Sequence, residues 1–405
     1  METKVEYMHK VKLEDSQEEP DINIIEQSPQ VSFEQIIDTM LDDSTPIPTR
    51  YLYRLSDLND KDLELLHQHW LNIPLWRRQA LMEDLKLFAK RDLMLSYEAI
   101  GRLALNDTDP KVRIGAIETL MANECECLDL VDIYLERMEK DIDRDVRVAA
   151  TGALGQFIYL AEMEVLNQET KKNLEDRLLS VAQNHADREL QRRSLESLGY
   201  STREEISALI EAAFNAPDPN QQTSSLVAMG RSGNDRWKPQ VLNMLTHSNP
   251  TIRTEAARAA GELGMAEARV HLFDLTEDAN QNVCLTALWA LSQIGGKGVR
   301  KILQERLQEA DDDEEIAVLE SALDNLDFSE GSHDISLIGD EEEDELYISS
   351  IEGEDVDEED IFDIDDEDDD FFNDIEDDDI DDYLGDEEDD DFEFLDDDDD
   401  DVLWG

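Results

Sequence analysis

Seven times in this chain an anchor residue, aliphatic in six of the seven copies, follows an Asp, Asn or Glu by three positions: Val112, Val146, Leu190, Gln221, Ile252, Val283 and Val318. The separations are 34, 44, 31, 31, 31 and 35 residues. Self-similarity at such a period marks a stack of small helical units, because one unit cannot bury its apolar face alone. Asp109-Pro110, Asp218-Pro219 and Asn249-Pro250 each supply a helix N-cap followed by proline at the one position where its missing N–H costs nothing. Asp143, Asp187 and Asn280 fill the same cap position without proline. Four residues after the anchors come Ala116, Ala150, Ser194, Ser225, Ala256, Ala287 and Ala322. Small side chains there let neighbouring helices approach closely, and Leu120, Leu154, Leu198, Met229, Ala260, Leu291 and Leu326, eight after the anchors, continue the stripe. The pattern predicts an all-α chain, a right-handed α-solenoid of about eight helix pairs spanning residues 51–328.

Glycines recur where the second helices should finish, at Gly155, Gly199, Gly230, Gly261 with Gly264, and Gly295 with Gly296. Glycine at those offsets supplies a left-handed C-cap or a tight contact between repeats. No Rossmann fingerprint or Walker loop accompanies them. From Arg50 to Lys90 the sequence reads as a helix pair lacking the Asp-Pro anchor, opened by Asn59 or Asp60 and resumed after Pro74. A degenerate first copy suits a terminal repeat, which has no neighbour on one side. Residues 1–50 are polar, acidic and proline-bearing, a mostly disordered arm. Within it, over 32–41, Ser32 and Gln35 make a capping box and Phe33, Ile36, Ile37, Met40 and Leu41 share one face. That segment is either a helix sealing the first repeat or a docking peptide for a partner's groove.

The string DTDPKVRIGAIETL, from Asp107 to Leu120, resembles the second helix of a HEAT repeat, and DIDRDVRVAATGALG repeats it. SNPTIRTEAARAAGELG and DANQNVCLTALWALSQIGG resemble the short bacterial, phycobilisome-lyase-type form. The resemblance covers roughly Ser56 to Phe328. It implies a ladder between repeats, in which an Asp before the second helix meets an Arg just after the anchor. The matching carboxylates are Asp107, Asp141, Asp278 and Asp313, and the matching arginines are Arg113, Arg147 and Arg253. His185, Ala216 and His247 replace the other Asp residues, and Gln191, Gln222 and Cys284 the other Arg residues, so the ladder breaks in mid-array. Such pairs are structural by default. The resemblance also brings in two enzymes, deoxyhypusine hydroxylase and the bilin lyases. The first needs His-Glu pairs to hold two irons, and no histidine here is followed by Glu; nothing in the residues marks a tetrapyrrole pocket for the second. Cys125 and Cys127 lack the two further ligands of a zinc site. No cofactor, metal or catalytic residue is therefore expected.

Charge divides the chain. Of 103 acidic residues 42 lie between Glu330 and Asp401, and no Lys or Arg follows Arg306, so that segment carries −42 of the formal −68. Residues 329–405 read as a disordered acidic tail, and its aromatics, among them Phe371, Phe372, Phe392, Phe394 and Trp404, resemble short docking motifs. Such negative charge argues against binding nucleic-acid phosphates and favours protein partners, basic ones included. With no cationic leader, no apolar run of about 18 residues and only three cysteines, the chain is expected to be cytoplasmic and not membrane-bound.

On the array itself, Arg188, Arg192 and Arg193 cluster at the start of one second helix, and Arg231, Arg236 and Trp237 follow in the next inter-repeat turn. Arg193, Arg258 and Trp289 are expected to face the groove lined by second helices. Trp and Arg dominate interface hot spots. The sequence expectation is a non-catalytic scaffold or adaptor binding protein through that groove. The alternatives are a regulatory polyanion mimic working through the tail, and a bilin-lyase-like enzyme. Oligomeric state is not legible.

Overall fold

A computed structural model describes residues 31–123, 127–184, 186–310, 312 and 315–328, all within a unit spanning Met1–Ile335. Two short helices come first, α1 (Phe33–Leu41) and α2 (Thr49–Tyr53). Eight pairs follow: α3 (Asp60–His69) with α4 (Leu75–Arg91), α5 (Glu98–Ala104) with α6 (Pro110–Ala122), α7 (Leu130–Lys140) with α8 (Arg144–Glu162), and α9 (Gln168–Ala182) with α10 (Arg188–Leu198). The remaining pairs are α11 (Glu204–Phe214) with α12 (Pro219–Arg231), α13 (Lys238–Met244) with α14 (Pro250–Glu262), α15 (Arg269–Leu275) with α16 (Gln281–Ile294), and α17 (Val299–Glu309) with α18 over 315–328. No strand occurs among the described residues. From α4 to α16 each even-numbered helix packs on the next, and from α6 on each also packs on its own odd-numbered partner; the chain is an all-α solenoid.

The caps explain where the second helices begin. Asp109, Asp143, Asp187, Asp218, Asn249 and Asn280 each accept backbone N–H bonds from the first turn that follows, with Pro110, Pro219 and Pro250 inside that turn. These are donors that the helix itself leaves unsatisfied. All seven residues four after the anchors, and all seven eight after, are buried. Leu190, Gln221 and Val318 are anchors only half-buried. The last cap departs from the pattern: the Asp312 carboxylate accepts from Glu315 N, so Glu315 lies inside the first turn rather than capping it.

Glycine works mainly as a contact here. A Cβ on Gly199, Gly230 or Gly261 would lie 2.8, 3.0 or 2.9 Å from the Cα of Ala228, Ala259 or Ala290, always two positions earlier in the next second helix's register. Gly155 sits against Ser197 in the same register but does not end its helix, since α8 continues to Glu162. Left-handed backbone at glycine falls in the turns that follow, as at Gly233 and Gly264.

The amphipathic segment resolves toward sealing. Phe33, Ile36, Ile37 and Met40 of α1 are buried against the first pair, and the Ser32–Gln35 capping box forms. Arg77 of α4, itself buried, donates to the carbonyls of Asp42 and Thr45 and ties down the linker after α1. Residues 1–30 and the tail from 329 onward, with Phe371, Phe372, Phe392, Phe394 and Trp404, lie outside the described residues, as do Cys125, His185 and Asp313.

Candidate functional site

Turn carbonyls and a carboxylate make each rung of the ladder. Arg113 donates to both oxygens of Asp141 at 3.0 and 2.7 Å and, through Nη1, to the carbonyls of Asp107 and Thr108. Arg253 repeats this with Asp278 at 2.7 and 2.9 Å and with the carbonyls of His247 and Ser248. Arg147 reaches the carbonyls of Asp141 and Ile142. A bidentate guanidinium–carboxylate pair fixes orientation as well as energy. Burial alone would raise the Asp141 carboxyl, but Arg113 and the Asp143 N–H outweigh it and hold it below the usual carboxylate range. Arg253 does the same for Asp278.

One rung escaped sequence reading. Arg78 lies 2.8 Å from Asp107, which also accepts from the Trp70 indole N–H at 2.7 Å, all three side chains buried. Its register was hidden because the anchor position before it is Arg77, not an aliphatic residue.

At the breaks the parts of a rung are reassigned. His247 Nδ1 accepts from Asn249 N, the turn bond that Asp107, Asp141 and Asp278 make elsewhere, without the ion pair. Cys284 Sγ donates to the Asp278 carbonyl, one half of what arginine does at that position. Between α10 and α12, where Gln191 and Ala216 replace Arg and Asp, Glu196 becomes the hub: it accepts from Ser224 Oγ at 2.6 Å and from Arg193 at 2.8 Å. Its backbone carbonyl accepts from Arg231 at 2.8 Å. A cavity of about 390 Å³ opens beside this interface, lined by helices α9 to α12.

Six of the eight residues predicted on the array lie on second helices, Arg188, Arg192 and Arg193 on α10, Arg231 on α12, Arg258 on α14 and Trp289 on α16. Arg193 is 47% exposed and bridges Glu189 and Glu196; Arg258 is 43% exposed, pairs with Glu255 at 3.2 Å and lies 6.0 Å over the half-buried Trp289 ring. Arg231 lies 5.2 Å over Tyr200, and Tyr200 meets Tyr159 edge-on at 5.5 Å. Tyr159, Tyr200 and Glu196 were not anticipated; their position ten or thirteen after an anchor, or six after it, is the signal that would have found them. Arg188 reaches toward Asp218 at 3.5 Å, and Arg192 pairs with Glu189. Trp237 is corrected: only 2% exposed, it is a core side chain, and its one displayed feature is Arg236 stacked 4.6 Å over its ring. A second, larger cleft of about 780 Å³ lies between α3 and α5, rimmed by Asp57, Asp60, Glu64 and Glu98. Among the described residues no group of three or more His, Cys, Asp or Glu is placed to hold a metal, and no helix is long and apolar enough to cross a membrane.

Residues 238–324 match the family model described as HEAT repeats. No curated protein matches the chain. Among solved structures it is similar to YibA of Escherichia coli, at 18% identity over 74% of this chain and 98% of that one, with a TM-score of 0.34. Human deoxyhypusine hydroxylase in complex with glycerol follows at 17% identity, 65% and 95% coverage and a TM-score of 0.30. The karyopherin Kap121p bound to Nup53p gives 13%, 76% and 40%, and 0.37. These global scores are low; the fold rests on the packing of the helix pairs themselves.

Proposed function

We propose that this HEAT-repeat chain is a non-catalytic scaffold that binds another protein across the second-helix face of α10 to α16. The observation that carries the reading is the row of half-exposed Arg193 and Arg258 with Arg231, Tyr200 and Trp289 along α10 to α16 and the turns that follow them. Arg193 is held by Glu189 and Glu196, Arg258 by Glu255 and Arg231 by the Glu196 carbonyl, and a guanidinium with five N–H donors keeps others for a partner. A solenoid face of this kind holds an extended segment without chemistry. Fold alone does not fix a task, so the residues named carry the claim.

The test is capture of native partners on the full chain, on an Arg193→Glu/Arg258→Glu variant, and on a version ending at Ser329, at low and high salt. Partners lost with the two substitutions and kept without the tail support the groove. Partners lost with the tail, and lost as the screening length falls from about 10 Å at 0.1 M to about 3 Å at 1 M, support the polyanion reading and sink the groove.

A further inference from the structure

We infer that the cleft between α3 and α5 is the docking site of this chain's own N-terminal segment, residues 3–13, held through its lysines over an apolar floor. The cleft measures about 780 Å³. Leu58, Leu63, Ala99 and Leu103, all half-buried, contribute its apolar surface. Asp57, Asp60 and Glu64 stand exposed along it and form no ion pair among the described residues. The one guanidinium of the lining, Arg102, is already spent: it donates to Glu98 at 2.6 Å and to the two oxygens of Asp129 at 2.7 and 2.8 Å. Three carboxylates are thus left without a cation beside apolar surface. An occupant that answers both features carries amines on a chain with aliphatic or aromatic side chains.

The chain carries such a segment, and carries it within reach. Lys4, Lys10 and Lys12 are the only Lys or Arg before Arg50, and Val5, Tyr7, Met8, Val11 and Leu13 lie among them. Glu6 is the one acidic residue of residues 3–13, whereas between Leu13 and Arg50 every charged residue is acidic. The described structure takes up the arm at Val31. Phe33 lies 5.8 Å from the Arg54 guanidinium, and Arg54 pairs with Asp62 of α3 at 2.8 Å. The arm therefore enters beside α3, the helix that brings Asp60, Leu63 and Glu64 to the cleft. The 18 steps of chain from Leu13 to Val31 can span up to about 60 Å, whereas a helix with its side chains is about 10–12 Å across. An extended chain sets alternate residues about 6.7 Å apart, so Lys10 and Lys12 match Asp60 and Glu64, which one helical turn sets about 6 Å apart. That register leaves Val11 and Leu13 for the opposite wall, where Ala99 and Leu103 of α5 stand. Docked there, the segment shuts the cleft to lysine-bearing segments of other proteins until one outcompetes the tether.

The cleft lies between first helices and does not rest on the scaffold reading, which concerns the second-helix face. Its test uses the full chain, read at the methyl signals of Leu58, Leu63, Ala99 and Leu103. Lys4→Glu/Lys10→Glu/Lys12→Glu should shift these four and leave those of Leu195 and Leu209 in place. A synthetic peptide of residues 1–13, titrated into that variant, should return the four signals saturably to their wild-type positions. The same peptide should bind the wild-type chain about tenfold more weakly, because a tethered segment competes at an effective concentration of about 1 mM against a dissociation constant of about 0.1 mM. Asp60→Asn/Glu64→Gln, added to the triple variant, should weaken the peptide about tenfold while the melting temperature stays within about 2 °C. That combination separates a lost contact from a lost fold. Unchanged methyl signals on charge reversal, or no saturable return with the peptide, overturns the assignment. Equal binding to the wild-type and reversed chains overturns it too, since the cleft would then stand open to partners. Shifts that grow with protein concentration would give the cleft to a second copy's arm, and also sink the assignment within one chain.

Discussion

The interfaces α6–α8 and α14–α16 are closed by guanidinium–carboxylate rungs, buried in the first and half-buried in the second, whereas α10–α12 and α12–α14 lack them, and yet all four stack in the same register. Gly199 meets Ala228 and Gly230 meets Ala259 across the two broken interfaces as closely as Gly261 meets Ala290 across a laddered one. The small residues four after the anchors are buried in both kinds. Backbone approach and the apolar stripe therefore build the stack, and the ladder is added to it. Where the rung is missing the array keeps its geometry, and between α10 and α12 a cavity and the Glu196-centred contacts stand in its place. A change of chemistry without a change of fold is what a repeat protein needs in order to place a site.

The sharpest way to break that contrast is to remove a rung. Arg113→Met strands Asp141, whose side chain is almost wholly enclosed, and frees the two turn carbonyls. Leaving a buried charge unpaired costs about 3–5 kcal/mol, with Arg137 at 3.5 Å relieving part of it. Gln222→Met, at the same register in a broken interface, should change stability by about 0.5–1 kcal/mol. Denaturant midpoints decide: similar losses for both would show that the rungs carry no more of the stack than the glutamines do.

A second substitution tests the shared part. Gly261→Ala puts a methyl 2.9 Å from Ala290 Cα and from the Trp289 ring, and backbone cannot yield there as a long side chain would. Overpacking of this kind costs about 1–3 kcal/mol. Gly199→Ala, facing Ala228 at 2.8 Å across a broken interface, should cost as much. If Gly199→Ala is tolerated and Gly261→Ala is not, the broken interface is looser than its geometry indicates.

Acid should separate the two kinds of interface more gently. Asp141, Asp187 and Asp278 all titrate below the usual range: Arg113 and Asp143 N outweigh burial at the first, and Arg144 and Arg253 dominate at the others. A carboxylate depressed in the folded state contributes stability that is complete above its unfolded value, about 3.9 for Asp, and is lost as pH falls through the folded one. For Asp187 that is about 2, which sets a window from roughly pH 4 down to 2. Hydrogen exchange, corrected for intrinsic rate, should accelerate in that window at α6–α8, α8–α10 and α14–α16 before α12–α14, where His247 and Gln222 stand in place of the pair. Uniform acceleration would show that the rungs do not localise acid sensitivity.

What the sequence made legible follows from what repeats. Anchors, caps and the residues four and eight beyond them recur because every copy must bury the same stripe, and their spacing alone places the second helices from α6 to α16. The ladder and its breaks were readable for the same reason, as departures at fixed offsets. Trp237 was misread because an Arg-flanked tryptophan in a turn has the composition of a hot spot whether its ring points in or out. Gly155 was misread as a helix end because its register is that of the contact glycines, while the helix length is set by the extra residues before Leu190. Glu196, Ser224 and the cavity were invisible because they arise from two repeats jointly, and no single copy encodes them.

The smallest effect bears on which half of the face binds. Gly152 of α8 occupies the register of Arg258 and Trp289, six after its anchor, and a Cβ there meets nothing within 4 Å. With helical backbone and open space, Gly152→Ala mainly lowers the entropy of the unfolded chain and should stabilise by about 0.5–1 kcal/mol. The added methyl also projects from the small-residue part of the face, beside Ala149, and changes no charge. If partners bind over Arg193 to Trp289, capture should be unchanged by Gly152→Ala and lost with Arg193→Glu/Arg258→Glu. A partner lost to the methyl alone would move the binding face to the laddered half, where close backbone approach rather than arginine would be the recognition element.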